Sequence, residues 1–119
     1  IKDLDLIDVV ETGKDIRYSD RFKEEGINVN LAEVKGVKSL AVLTYERGVE
    51  DETLSCGTGV TAVTLAYAHQ QEMLGKHTVD VNVKGGALKV AFNQTAKGVF
   101  SDIQLIGPAV FVYSGEINV

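Results

Sequence analysis

One cysteine, one proline, two histidines and no tryptophan are all that this 119-residue chain offers of the residues that most often anchor chemistry or punctuate structure. The lone Cys56 excludes an intrachain disulfide and leaves a free thiol, as expected in a reducing compartment. His69 and His77 fall in no pattern of His, Cys and carboxylates at metal-ligand spacing. The one proline, Pro108, stands without any Pro- or Ser-rich run, so no linker divides the chain, and one domain over residues 1–119 is expected. No apolar run approaches the ~18 residues of a membrane span. There is no basic run either: 17 Asp and Glu outnumber 12 Lys and Arg, for a net charge of −5. That balance argues against nucleic acid or an anionic membrane surface as partner. The N-terminal residues lack a basic n-region and an apolar h-region, so no signal peptide and a cytoplasmic location are expected. The first residue is Ile1 rather than Met, as in a processed chain or a fragment.

What is present is ordinary for a globular domain, 45% apolar and 24% charged. Asp5–Arg17 reads as a short helix capped by Asp5 or Asp8, weakened by Gly13. Residues 18–26 read as a loop. Asn28–Val34 and Ser39–Tyr45 read as strands joined at Lys35-Gly36, and Arg47–Ser55 as an acidic loop. Gly57–Leu74 carries the clearest helical pattern, with Gly75 suited to its C′ position. Its first half is nearly free of charge, which predicts a helix buried all round and wrapped by a sheet. Four strands follow, at Thr78–Val83, Ala87–Phe92, Phe100–Ile106 and Ala109–Tyr113. Gly85-Gly86 suits a two-residue hairpin turn, Asn93–Gly98 a polar turn and Gly107-Pro108 a break. The order predicts an α+β domain with a mostly antiparallel sheet rolled around a central helix.

The chemistry concentrates between Tyr45 and Ala62. Cys56 immediately precedes a Gly-rich helix start, where the dipole and the free N–H groups of the first turn favour thiolate over thiol. The N–H groups of Gly57, Thr58 and Gly59 offer an anion cradle in the same turn. On these residues alone, a functional thiol and a small apolar residue packed at a helix start are about equally supported. A Cys–His hydrolase is disfavoured, because His69 lies thirteen positions along the helix, about 20 Å away at 1.5 Å per residue. Gly57-Thr58-Gly59-Val60-Thr61-Ala62 matches a dinucleotide fingerprint, with Asp80 at a fitting distance, but no strand runs into its first glycine. Glu46-Arg47, at a strand end, suits an ammonium and a carboxylate respectively, and equally a surface charge pair. Glu50, Asp51 and Glu52 read as solvated loop charges.

Tyr45-Glu46-Arg47-Gly48, with Glu52-Thr53-Leu54-Ser55-Cys56-Gly57-Thr58-Gly59, resembles the second-half signature of the diaminopimelate epimerase family. Gly26-Ile27-Asn28-Val29-Asn30-Leu31 resembles its asparagine-bearing strand, and Gly107-Pro108-Ala109-Val110 with Gly115-Glu116-Ile117 its C-terminal end. The resemblance runs from Leu6 to Ile117. It implies the C-terminal lobe of a two-lobed enzyme, each lobe a sheet rolled around a helix, with the N-terminal lobe of the same protein as partner. It implies inversion at the α-carbon of diaminopimelate, without a cofactor, by one cysteine from each lobe. Cys56 would be one of the pair, Gly57 and Thr58 N–H donors to the α-carboxylate, and Asn28, Glu46 and Arg47 substrate contacts, with Glu46 also orienting the thiol. Lysine or peptidoglycan-precursor biosynthesis is the setting it implies. Two readings stand beside it: a two-cysteine proline racemase or hydroxyproline epimerase, and a non-catalytic lobe of the same fold. The loop Val49-Glu50-Asp51 is one residue longer than the family's usual glycine-bearing loop. An exposed cleft face would also offer a surface through which two copies form a homodimer.

Overall fold

A computed structural model describes all 119 residues. A 3₁₀ turn at Leu4–Leu6 leads into helix α1, Val9–Arg17. Strands β1 (Val29–Gly36), β2 (Ser39–Glu46) and β3 (Asp51–Thr53) follow, then helix α2 (Gly57–Gln70) and strands β4 (Gly75–Val83), β5 (Gly86–Ala96) and β6 (Val99–Ile106). The fold is α+β. One sheet runs in the order β1-β2-β4-β5-β6, with β3 also paired to β2. Every pairing is antiparallel except β2 with β4, where Ser39–Ala41 lie beside Asp80–Asn82. Strands from both ends of this order, β1 and β6, touch α2, so the sheet curls around the helix.

The two helices sit on opposite faces of β2, because its residues alternate in direction. Leu40 and Val42 point toward α2 and join Val60, Ala68, Val79, Val81, Val90 and Phe92 in the main core. Tyr45 points the other way and joins Leu4, Val9, Val29 and Leu31 beneath α1. A strand covered on both faces explains the run Ser39–Tyr45, where apolar residues occupy both alternating sets.

The predicted first helix divides in two. Asp8 caps α1, its Oδ1 accepting the Glu11 N–H at 2.9 Å, while Asp3 caps the 3₁₀ turn. Gly13 is where the packing is closest. A Cβ there would stand 2.4 Å from both Cβ and Cγ of the fully buried Tyr45. Gly13→Ala is therefore expected to destabilise by ~1–3 kcal/mol through overpacking, outweighing a helix-propensity gain of about 1 kcal/mol. Urea unfolding checks this, and a stabilised variant would show that α1 does not seat on Tyr45.

Helix α2 is shorter and less enclosed than its composition predicts. Gly59, Val60, Thr64 and Ala68 are buried, while Thr58, Ala62 and Ala66 are exposed along another line. It ends at Gln70 because Glu72 adopts φ 52° and closes a Schellman motif. The Met73 N–H bonds to Ala68 O at 2.9 Å and the Glu72 N–H to His69 O at 3.2 Å. Gly75, expected at C′, instead opens β4.

Other turns shift by a residue or two. β1 extends to Gly36, so that hairpin turns at Val37-Lys38 rather than Lys35-Gly36. Val83 pairs with Gly86, placing the next turn at Lys84-Gly85. β5 continues to Ala96. The acidic loop contains β3, which pairs with the end of β2. Ala109–Tyr113 forms no strand: residues 107–119 have no regular structure, and Val110, Phe111, Val112 and Tyr113 are each about 80% exposed. An apolar segment becomes a strand only against an edge, and none in this chain receives it.

Candidate active site

Three chain segments meet around the thiol. β1 is preceded by Asn28, β2 ends in Glu46 and runs on into Arg47, and α2 begins after Cys56. Cys56 is the N-cap of α2, with extended backbone at φ −127° and no side-chain cap bond. The first backbone bond of the helix runs from the Val60 N–H to Cys56 O at 2.9 Å. The N–H groups of Gly57, Thr58 and Gly59 consequently have no acceptor within the chain. Three aligned donors at the positive end of a helix sit beside the sulfur.

Asn28 links the thiol to the strand end. Its Nδ2 lies 3.9 Å from Cys56 Sγ, while its Oδ1 accepts the Arg47 N–H at 2.8 Å. The Thr58 hydroxyl is 3.5 Å from the sulfur. Glu46 makes no side-chain hydrogen bond or ion pair, and it shares with Cys56, Gly57 and Thr58 a cavity of about 750 Å³ also walled by Leu65 and Leu105. A smaller recess of about 310 Å³ joins Asn28, Asn30, Arg47, Thr58 and Gly59. The six residues singled out from sequence (Asn28, Glu46, Arg47, Cys56, Gly57 and Thr58) thus lie along these two adjoining hollows. Asn28 and Thr58, rather than Glu46, touch the thiol.

The backbone supports this arrangement closely. A Cβ at Gly59 would sit 2.3 Å from Asn30 Oδ1, which accepts from the Thr44 hydroxyl at 2.8 Å. Gly26, at φ +76°, would bring a Cβ within 2.4 Å of Arg47 Cδ. The Arg47 side chain crosses that gap to donate to Glu25 O at 2.7 Å.

The family model for diaminopimelate epimerase matches residues 1–112. The chain belongs to the diaminopimelate epimerase family. The diaminopimelate epimerase of Flavobacterium psychrophilum is 43% identical over 114 residues, which cover 96% of this chain and 44% of that protein. That of Chlorobaculum tepidum is 43% identical over 122 residues, covering 99% and 44%, and that of Aquifex aeolicus 34% identical over 119, covering 99% and 41%. The chain therefore spans about two fifths of the length of these curated relatives. Membership of this family makes the chain part of an isomerase family.

In this diaminopimelate epimerase family fold the other readings of the motif fail on geometry. β3, the strand before Gly57, is a three-residue edge strand that stops at Thr53, so no strand feeds a dinucleotide turn, and Asp80 lies within β4. His69 lies in the last turn of α2 against Gly98, and His77 bonds Leu74 O from β4. Neither lines the two hollows. No cluster of three or more His, Cys, Asp or Glu side chains converges on a metal-sized site.

Two of the acidic loop residues are not simply solvated. Glu52 pairs with Lys84 at 2.6 Å. The Glu50 carboxylate accepts from the Gly48 N–H at 3.1 Å, Tyr45 Oη at 2.9 Å, Tyr18 Oη at 3.1 Å and Arg17 Nε at 3.3 Å. The Gly48 N–H, then the two hydroxyls and Arg17, hold the Glu50 carboxyl down at about 2 against the opposing effect of burial. Burial first, and Glu50 next, push the Tyr45 phenol up to about 12. Because the folded value for Glu50 lies below its ordinary 4.5, its contribution to stability is complete above that value and drains as pH falls from 4.5 toward about 2. Thermal melts across this window are expected to show a shallower acid slope for Glu50→Gln than for the unaltered chain. Identical slopes would mean that this carboxylate is not held as described. No local sequence signal marks Asn30 or Glu50, because the side chains that bond them come from other elements.

Proposed function

We propose that this chain is the C-terminal lobe of a diaminopimelate epimerase, and that Cys56 is one of two cysteines that invert the α-carbon without a cofactor. The observation that carries the reading is the position of Cys56 Sγ beside three unpartnered N–H groups at the start of α2, on a cavity shared with Glu46. The α-proton of an amino acid is a very weak acid. Its removal puts negative charge on the α-carbon and the adjoining carboxylate, where donors fixed in advance are most effective. Cys56 as thiolate takes the proton. Gly57 and Thr58 N–H groups bind the carboxylate as charge builds on it. A thiol from the other lobe delivers a proton to the opposite face, and the reverse direction exchanges the two roles. Asn28 holds the sulfur in place, while Glu46 and Arg47 bind the substrate's ammonium and carboxylate groups. Diaminopimelate, with its second amino acid head, suits that set better than proline does. A cytoplasmic location and lysine or peptidoglycan-precursor biosynthesis accompany this assignment.

One fixed thiol cannot serve both faces of a carbon. The 119-residue chain alone is therefore expected to invert nothing, whereas the full-length enzyme inverts and exchanges the α-hydrogen. The test follows inversion and deuterium incorporation into diaminopimelate by both proteins. Inversion by the purified chain alone would refute the two-lobe reading, and exchange without inversion would support it.

A further inference from the structure

We propose that Glu50 is a positioning residue: it clamps the turn that carries Glu46 and Arg47 onto α1, and so sets the substrate-binding end of the site without lining it. The inference rests on the functional reading above for its kinetic arm only. The turn from Glu46 to Glu50 is closed by the Glu50 N–H on Glu46 O at 2.7 Å. It contains two left-handed residues, Gly48 at φ +91° and Glu50 at φ 58°. Glycine takes that conformation freely and glutamate at some cost, which the contacts of the Glu50 side chain offset.

The carboxylate does so with four donors from three elements. Arg17 and Tyr18 come from the end of α1, Tyr45 from β2, and the Gly48 N–H from the turn itself. Arg17 is 13% exposed in its side chain and Tyr45 not at all, so the anchor points are themselves fixed. The contacts then continue one residue at a time. Gly48, held by Glu50, follows Arg47, and the Arg47 N–H donates to Asn28, whose amide reaches Cys56 Sγ. Glu50 lines neither of the two hollows.

The experiment uses the full-length enzyme. Glu50→Gly removes the clamp and relieves the backbone, so the variant is expected to fold. Glu72→Gly is the control, because Glu72 is likewise left-handed but lies at the far end of α2. Glu50→Gly is expected to lower kcat/KM at least tenfold, chiefly by raising KM, while Glu72→Gly stays within twofold. Glu50→Gln keeps one acceptor oxygen for the Gly48 N–H, while its amide N–H groups can donate to the tyrosine hydroxyls, and it is expected to recover most of the loss. In an Arg47→Ala background, Glu50→Gly should cost less than it does alone, since one of the two residues it positions is gone. A kcat/KM within twofold for Glu50→Gly, or losses that simply multiply, would overturn the proposal. Should the enzyme not act on diaminopimelate at all, the clamp is still read by NMR. Displaced Arg47 N–H and Asn28 amide resonances in Glu50→Gly, against unmoved β4–β5 resonances, support it. Unmoved Arg47 and Asn28 resonances refute it.

Discussion

Replacing Cys56 with alanine in the full-length enzyme is expected to slow epimerisation of diaminopimelate at least ~10³-fold, about 4 kcal/mol in the barrier. On the proposed mechanism, the alanine variant keeps the N–H cradle and the strand-end contacts but has no base on its face of the substrate. Serine in place of Cys56 is expected to fall nearly as far, because a hydroxyl gives up its proton far less readily than a thiol. Neither change should disturb the fold. The Cys56 side chain caps nothing, and its side-chain hydrogen-bond partners are the Asn28 amide and the Thr58 hydroxyl alone. Unfolding free energies within about 0.5 kcal/mol of the parent are therefore expected. Initial rates of interconversion, with melts run in parallel, decide the matter. Activity within tenfold of the parent in Cys56→Ala would eliminate the thiol as base, and a collapsed melt would assign it a packing role instead.

The largest effect on stability is expected at Gln94, a fully buried amide on β5. Its Nε2 donates to Ala68 O at 3.2 Å and Met73 O at 2.8 Å, while Oε1 accepts the Gly98 N–H at 3.0 Å. One side chain thus ties the end of α2, the chain leaving it and the β5–β6 turn together. Gln94→Ala leaves the Met73 carbonyl and the Gly98 N–H without partners, each worth ~1–3 kcal/mol, so a loss of about 3 kcal/mol is expected by denaturant melts. Gln94→Glu is the sharper comparison. At neutral pH it aims a carboxylate at two carbonyl oxygens, and its stability should recover as acid protonates it and restores a donor. A Gln94→Glu variant as stable as the parent at neutral pH would show that these bonds are not made.

Much of this fold could be read from local signals. The hairpins followed from β-branched runs between turn residues, and the start of α2 from the uncharged glycine-rich segment after Cys56. The clustering of Asn28, Glu46, Arg47, Cys56, Gly57 and Thr58 followed from a family resemblance that the family match now bears out. What escaped was set by distant partners. β3 has no apolar period because it is a short edge strand satisfied by β2. Gly13 looked like a weak point in a helix, yet its bareness is what admits Tyr45. Helix α2 ends at a left-handed Glu72, which Lys97 holds at 3.0 Å, and not at the glycine three residues later. Glu50 looked solvated because none of its tyrosine and arginine partners from α1 and β2 is its neighbour in sequence.

The lone parallel pairing has a consequence for the order of assembly. The strands before α2 pair only among themselves, as do those after it, except where Ser39–Ala41 meet Asp80–Asn82 and the Asp80 N–H bonds Lys38 O at 2.9 Å. Hairpins close quickly because their partners are near in sequence, whereas this seam must wait for a long loop to close. The two halves are thus expected to form first and to join last, with α2 as the tether between them. Leu105, from the second half, supplies one wall of the cavity around Cys56. The thiol acquires that wall only when the halves meet, so amide protection along the seam and burial of the sulfur should appear together, late in refolding.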